Sequence, residues 1–279
     1  MLKVINSLSE YNDLYNKYVG QRKLSGYTNF FVNKDKLTVY IVQHKIKYAV
    51  LEDVLFLFVD QDEFYKMYFL GLHDKVNRIP KADKSICCDI YEQHKNDTRI
   101  KYIHEIFQNN QFIIDEAYEQ VRLSYGSLNK IVSKYLNKNI KKLKKENLVF
   151  SDVRLEDCFQ VETLIKENMG IYNKLSIEDE SLQNQIRNHN VVGVYDKDDL
   201  IAVYYFTEKA GRVIVKKNYR GKNLSVLLRM YFAIQSRWNN SSRVCYGWVG
   251  SSNISSKIAF ERLFAVYTGK IKYRYIKKI

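Results

Sequence analysis

The segment Lys217–Ser225 contains residue types that together suit the binding of an anion. Arg220 supplies positive charge, Gly221 lets a ligand approach the backbone closely, and Asn223 tolerates a left-handed backbone conformation. The apolar residues 226–228 that follow indicate that the segment runs into a helix. The start of a helix presents backbone N–H groups and the positive end of the helix dipole to one point. The sequence therefore predicts an anion-binding loop between a strand and a helix.

Regular elements on both sides of this loop form an alternating pattern of strands and helices. From residue 148 the predicted elements are strand Leu148–Arg154, helices Leu155–Asn168 and Ile177–Asn188, strands Asn190–Asp196, Asp199–Thr207 and Arg212–Lys216, a helix ending near Trp238, strand Arg243–Val249, helix Asn253–Phe264 and strand Tyr267–Ile276. This order of strands and helices favours an α/β fold with a mixed sheet. In such folds, ligands commonly bind where a strand leads through a loop into a helix.

The loop and its flanks resemble the acyl-CoA pyrophosphate loop of the GNAT superfamily of N-acetyltransferases. That family's pattern is Arg/Gln-x-x-Gly-x-Gly/Ala, and Arg220–Ser225 fits its frame, with Asn223 and Ser225 at the family's small-residue positions. Downstream the family has a strand, an Asn and a helix ending in Tyr-Glu-x-Leu-Gly-Phe. Here Asn253 follows the strand, and the helix ends in Phe-Glu-Arg-Leu-Phe at residues 260–264. The resemblance covers roughly residues 148–279.

The resemblance implies an N-acyltransferase that moves an acetyl group from acetyl-CoA to a primary amine by direct attack. Backbone N–H groups near Val213, Ile214 and Val215 would polarise the thioester carbonyl. The loop residues that would bind the cofactor are Arg220, Gly221, Lys222, Asn223, Leu224 and Ser225. Asn253 and Ser256 would help to hold the pantetheine arm, although Asn253 is equally well explained as a helix cap.

The proton transfers of this reaction have three candidate residues. Glu208, at the end of the strand before the loop, is the first candidate base, and an ordinary exposed turn residue is the alternative interpretation. Tyr205 and Tyr246 are weaker candidates, because a tyrosine in a strand more often packs in the core. Phe260 stands where much of the family has a Tyr that protonates the CoA thiolate, which a phenyl ring cannot do. Another group then acts, the thiolate leaves unassisted, or CoA is bound without rapid turnover.

The first 125 residues are predicted to form a separate domain rich in strands. Its predicted extended segments are Thr28–Val32, Leu37–Val42, Lys47–Val50, Val54–Val59, Phe64–Leu70, Ile86–Tyr91 and Gln111–Leu123. An amphipathic helix over Ser127–Glu146 would connect it to the second domain, which gives boundaries of 1–125, 126–146 and 147–279. The first domain is either a degenerate GNAT-like repeat or an unrelated α+β domain. Gly71–Ser85 has no Arg-Gly-x-Gly loop, so we expect no CoA binding there in the family manner.

The distribution of charge points to an anionic partner for the last quarter of the chain. Residues 1–208 contain 29 basic and 30 acidic residues, whereas residues 209–279 contain 16 basic residues and the single acid Glu261. CoA phosphates account for part of this excess. We expect the remainder to face an anionic small-molecule amine, such as a nucleotide-linked amino sugar. A basic nucleic-acid-binding module is the alternative, which no nucleic-acid motif supports, and a catalytically weak CoA-binding scaffold is another.

The remaining residue types exclude other classes. Cys87, Cys88, Cys158 and Cys245 and the five histidines lack zinc-site spacing, so we expect no metal site. The longest strongly apolar run, Val54–Val59, is far shorter than the about 20 residues of a membrane helix. We therefore expect a soluble, cytoplasmic protein.

Overall fold

The computed structural model describes residues 2–20, 26–29, 34–94, 97–124, 131–169, 179–207, 210–234 and 244–279. The first elements are β1 (Lys3–Val4), α1 (Leu8–Tyr15) with a π-helical turn (Asn16–Gly20), α2 (Lys34–Val42), β2 (Ile46–Leu51), β3 (Val54–Asp60), β4 (Phe64–Leu70), β5 (Ser85–Glu92), α3 (Thr98–Asn109) and β6 (Ile113–Ser124). The later ones are α4 (Ile131–Lys144), β7 (Leu148–Asp152), α5 (Cys158–Asn168), α6 (Asp179–Arg187), β8 (Val191–Asp196), β9 (Asp199–Thr207), β10 (Ala210–Val215), α7 (Leu224–Ile234), β11 (Val244–Gly250), α8 (Ile254–Glu261) and β12 (Val266–Lys277).

The chain divides into two compact units. Unit 1 comprises Met1–Glu119 and Gly269–Ile279, and unit 2 comprises Gln120–Thr268. The sequence-based boundaries assigned residues 269–279 to the second domain. In the structure they group with unit 1, because Ile271–Lys277 of β12 pairs antiparallel along β5. The predicted connecting helix, observed as α4, groups with unit 2, where Leu136 and Leu143 are buried in the core.

Each unit is built on a mixed sheet, as the sequence predicts. In unit 1 the strand order is β1-β2-β3-β4-β5-β12-β6, and β4 and β5 are parallel to each other. In unit 2 the order is β6-β11-β10-β9-β8-β7, and β10 and β11 form the parallel pair. The strands on the β10 side of that pair form an antiparallel meander, in which β7 to β10 are joined in sequence order.

The sequence prediction of an extended segment over Leu37–Val42 is wrong, because these residues form most of helix α2. The run is rich in β-branched residues, which favour strands when only local preference is considered. In the structure Leu37 and Ile41, one helical turn apart, are buried in the core, while Val39 and Val42 are exposed. Burial of one helical stripe therefore overrides local preference here.

Two hydrophobic clusters lie in each unit. In unit 2 one cluster joins α4, α7 and α8 to the sheet, and the other contains the buried residues of α5 and α6. Strand residues alternate between the two clusters, as Tyr204 and Tyr205 show. None of the helices in the described ranges is both long and apolar enough to cross a membrane.

Buried charge anchors β12 in unit 1. The Asp89 carboxylate accepts from Arg274 Nε at 3.1 Å and lies 2.7 Å from Lys66 Nζ, and Arg274 also donates to Tyr118 Oη at 2.9 Å. Burial opposes ionisation of Asp89, but the cations of Lys66, Lys272 and Arg274 hold its pKa well below its usual range. The ion pair therefore ties the end of the chain to a strand far away in sequence.

Removing the Arg274 side chain is expected to destabilise unit 1. Arg274→Ala leaves the buried Asp89 carboxylate without one of its partners, which costs about 3–5 kcal/mol in the free energy of unfolding. The exposed neighbour Lys278 provides the control, since Lys278→Ala is expected to change little. Urea unfolding checks both variants, and equal midpoints for the two would contradict the role of the pair.

The same pair predicts a dependence of stability on pH. Because the folded pKa of Asp89 is lowered, the ionised carboxylate stabilises the fold above the unfolded pKa of about 3.9. That stabilisation is lost as the pH falls towards the folded value. We expect Asp89→Asn to lower stability at neutral pH and to flatten its decline in acid, measured by urea unfolding at a series of pH values.

Candidate functional site

The loop between β10 and α7 is open on one side. A 3₁₀ turn over Lys217–Tyr219 follows β10, and Gly221 and Asn223 then adopt positive φ angles of 86° and 59°. A Cβ atom placed on Gly221 would meet no other atom within 4 Å. The two positive φ angles turn the chain sharply into α7, which begins at Leu224. A ligand can therefore reach the loop backbone at Gly221.

The backbone of this loop presents a run of hydrogen-bond donors. The Asn223 carbonyl accepts from the N–H groups of Val226 and Leu227, each at 3.1 Å, and so begins the helix. Within the described ranges, no acceptor of normal hydrogen-bond geometry faces the N–H groups of Gly221, Asn223, Leu224 and Ser225, whereas Lys222 closes a turn over the two residues before it. These four donors, before and at the start of an 11-residue helix, together with its dipole, suit a phosphate or diphosphate.

Basic side chains surround the loop. The exposed Arg220 donates weakly from Nε to the Val215 carbonyl and from Nη2 to Asn168 Oδ1, each at 3.3 Å. Lys222 Nζ lies 2.7 Å from Glu146 Oε2, and the ion pair lowers the pKa of Glu146. Arg262, the residue that follows α8, donates to Asn223 Oδ1. Arg262 was not among the predicted site residues, although it lies within the helix-ending motif.

The strands β10 and β11 separate soon after they meet. Among the described residues their register contains one pair, Ala210 with Tyr246, and residues 211–215 and 247–250 form no further pair. On the other side, Lys216 donates its N–H to Ile201 of β9 at 2.9 Å. Because N–H groups alternate between the two edges of a strand, those of Val213 and Val215 point away from β9 towards the gap. The N–H group of Ile214 points towards β9. Of the three residues predicted to polarise the thioester carbonyl, only Val213 and Val215 therefore direct an N–H group into the gap.

The predicted catalytic residues fall in different environments. Glu208 lies outside the described residues. Tyr205 pairs with Arg212 across β9 and β10, and Tyr246 pairs with Ala210, so these side chains share one face of the sheet. Tyr205 is 5% exposed and packs in the core around α5 and α6, whereas Tyr246 is 40% exposed. The structure brings Tyr205 and Tyr246 to one face but leaves only Tyr246 open to solvent.

Asn253 and Ser256 lie at the start of α8. The Asn253 side-chain oxygen accepts from the Ser256 N–H at 3.0 Å, which is the arrangement of a helix cap. The cap accounts for this oxygen, and a role in holding a ligand stays a prediction for both residues.

Phe260 is enclosed by groups that the sequence did not reveal as neighbours. It is 5% exposed, and the guanidinium of the buried Arg229 lies over its ring at 4.4 Å from the centroid. Arg229 also donates to the Ser225 carbonyl at 3.2 Å. A Cβ on Gly247 would lie 3.2 Å from the tip of the phenyl ring. A buried cation therefore links Phe260 to the first turn of α7.

Two solved structures with a similar architecture are named as acetyltransferases. A GCN5-related N-acetyltransferase from Sphaerobacter thermophilus aligns with a TM-score of 0.53 and 9% identity, over 84% of this chain and 80% of its own. A GNAT-family acetyltransferase from Colwellia psychrerythraea aligns over the full length of both chains, with a TM-score of 0.50 and 12% identity. This chain has a GNAT-like fold.

A third solved structure covers the chain end to end. It is a protein from Drosophila malonogaster, with a TM-score of 0.53 and 12% identity over 100% of this chain and 98% of its own. No protein-family model matches the sequence, and no curated protein matches it. The GNAT-like fold thus rests on structure and on the local motifs.

Among the described residues, no group of three or more His, Cys, Asp or Glu side chains could hold a metal ion.

A glycine beside the strand gap yields a packing prediction. A Cβ on Gly211 would lie 2.5 Å from Tyr204 Cζ, and Tyr204 is fully buried. Gly211→Ala should therefore displace the ring and lower the free energy of unfolding by about 1–3 kcal/mol. The double variant Gly211→Ala/Tyr204→Phe removes the hydroxyl, the atom nearest the added methyl, and should lose less than the sum of its single variants. Strict additivity in urea unfolding would contradict this contact.

Proposed function

We propose that unit 2 binds an acyl-CoA at the loop Arg220–Ser225 and transfers its acyl group, most simply acetyl, to a primary amine. The observation that carries this proposal is the open loop, with four donor N–H groups before and at the start of α7 in a GNAT-like fold. Such a donor array fits the diphosphate of CoA, and Arg220 adds a charged donor beside it. The acetyltransferase names of the similar structures support the same reaction class.

The strand gap would accept the rest of the co-substrate. The N–H groups of Val213 and Val215 face the gap and have no ladder partner among the described residues of β11. An extended arm that contains amides could pair with this strand edge. One of these N–H groups would also polarise the thioester carbonyl. Asn253 and Ser256, at the start of α8, would contact the arm.

The reaction requires a neutral amine. Its nitrogen attacks the thioester carbonyl carbon, a C–N bond forms and the C–S bond breaks, and the CoA thiolate leaves. A base takes the proton that the nitrogen gives up. Glu208 and Tyr246 are the proposed candidates for proton transfer, and Tyr205 is the weaker one because it is buried in the core.

Phe260 favours a second candidate function, a protein that binds acyl-CoA with little turnover. Its ring occupies a buried position, and the group stacked on it is a guanidinium that cannot donate a proton at neutral pH. A single-turnover assay distinguishes the two, because a binding protein retains the intact thioester in the presence of amines.

The acceptor is proposed to be an anionic amine, such as a nucleotide-linked amino sugar. Arg212 is exposed on β10, on the same face as Tyr205 and Tyr246. A guanidinium at this position suits a phosphate or carboxylate. Nucleic acid is a less suitable partner, because Lys272 and Arg274 of the C-terminal segment are buried in unit 1.

Disruption of the loop is expected to abolish CoA binding. Arg220→Ala removes a charged donor, and Gly221→Val places a branched side chain on a residue with a φ of 86° at the open side. Loss of one charge-assisted hydrogen bond costs about 1.5–3 kcal/mol, so Arg220→Ala alone should weaken binding more than about tenfold. The double variant Arg220→Ala/Gly221→Val, which also obstructs the open side of the loop, should show no measurable binding. Calorimetry with CoA measures the change. Arg187→Ala, which removes an exposed charge from α6, should bind normally, and unaltered binding by the loop variant would overturn the proposal.

The acceptor proposal predicts selective effects at Arg212. Arg212→Gln should raise KM for a phosphorylated amine about tenfold through loss of a charge-assisted contact, and Arg212→Lys should recover part of it. The same variants should leave KM for the dephosphorylated amine unchanged. Rates that do not depend on the phosphates of the acceptor in the unsubstituted protein would count against an anionic acceptor.

A further inference from the structure

Unit 1 contains a second parallel pair of strands that separates. The register of β4 and β5 runs from Phe64 with Ser85 to Lys66 with Cys87 and then ends, although both strands continue to Leu70 and Glu92. All of these residues are described. Beyond Lys66 the two strands therefore need other partners for the backbone groups that face the gap.

A segment of the chain itself supplies these partners. The Asn29 side-chain amide donates to the carbonyls of Met67 at 3.4 Å and Asp89 at 3.1 Å, and to Cys88 Sγ at 3.2 Å. Its side-chain oxygen accepts from the Phe69 N–H at 2.7 Å, and its backbone N–H donates to the Phe69 carbonyl at 3.3 Å. One carboxamide thus bridges both separating strands, and Asn29 is only 2% exposed.

Tyr27 extends the same bridge. Its hydroxyl accepts from the Tyr91 N–H at 2.6 Å and donates to the Tyr91 carbonyl at 2.7 Å. Its own backbone pairs with Leu72, with N···O distances of 2.7 and 2.8 Å. At Gly26 the chain approaches so closely that a Cβ would lie 2.6 Å from the Gly71 carbonyl. The segment Gly26–Asn29 therefore packs against both sides of the gap and bonds both strands.

We infer that Gly26–Asn29 fills the gap between β4 and β5 in unit 1, where a ligand would otherwise bind. The protein then has one acyl-CoA site, in unit 2. The connection from β4 to β5, residues 71–84, is described throughout and contains no helix, so it offers no helix terminus for a diphosphate. In unit 2 the corresponding gap adjoins the open loop. The assignment of the single site rests on the proposed function, whereas the role of the internal segment stands on the contacts of Asn29 and Tyr27.

The number of CoA sites is the first test. Calorimetric titration of the full chain with CoA should give one site, and the variant Arg220→Ala/Gly221→Val should give none. Two sites in the unsubstituted protein, or residual binding in that variant, would overturn the inference. If the unsubstituted protein binds no CoA, the proposed function fails, and the second test still decides whether the segment fills the gap.

Amide hydrogen exchange is the second test, because two strand amides donate hydrogen bonds to the segment. The Phe69 N–H bonds Asn29, and the Tyr91 N–H bonds the Tyr27 hydroxyl. Asn29→Ala should accelerate exchange at Phe69 at least about tenfold, and Tyr27→Phe should do so at Tyr91. Asn77→Ala, at an exposed site of the same unit, is the control and should change neither amide.

Two features keep this second test decisive. Tyr27→Phe keeps the ring and removes only the hydroxyl, so it reports on the contact even if Asn29→Ala prevents unit 1 from folding. The effect should also be local, with the amides of Phe56 and Leu57 on the neighbouring strand keeping their protection. Unchanged exchange at Phe69 and Tyr91 in their respective variants would show that the segment does not hold the gap.

Discussion

In both units, a pair of parallel strands separates, and the backbone groups exposed there must find new hydrogen-bond partners. Where two parallel strands separate, the N–H and C=O groups on their facing edges lose ladder partners and need others. In unit 1 the segment Gly26–Asn29 provides them from within the chain. In unit 2 the edge of β10 at Val213 and Val215 lies just before the open loop at Gly221. The same strand arrangement thus gives a closed core in one unit and a candidate ligand site in the other.

The structure also shows which positive charges of the basic C-terminal segment, residues 209–279, are paired with acids. Its excess of 15 positive charges is local in sequence, but several of these cations contact acids from earlier residues. Lys216 lies 2.6 Å from Asp199, and Arg274 bonds Asp89 in unit 1. These pairs offset part of the excess, and the exposed Arg220 keeps positive charge at the loop.

Most helices and strands could be predicted from local sequence patterns. Contacts between residues far apart in sequence could not. The apolar run Val54–Val59 and the motif at Arg220–Ser225 lie within short stretches, and both predicted the observed element or connection. Helix α2 was misread because its β-branched residues favour strands and only burial reveals the helical stripe. The pairing of β12 with β5 and the insertion of Asn29 between β4 and β5 join residues about 180 and 60 positions apart, and no local signal announces them.

The neighbours of Phe260 in the structure suggest a packing role for this departure from the family motif. As a sequence feature it only removes a phenol from the position that resembles the family's general acid. In the structure its ring lies between the space above Gly247 and the guanidinium of Arg229. Arg229 in turn bonds the Ser225 carbonyl at the start of α7. A phenyl face attracts a cation without competing for its hydrogen bonds, so Phe260 can retain Arg229 behind the loop. The residue that replaces the family's phenol thus packs against a cation bonded to the first turn of α7.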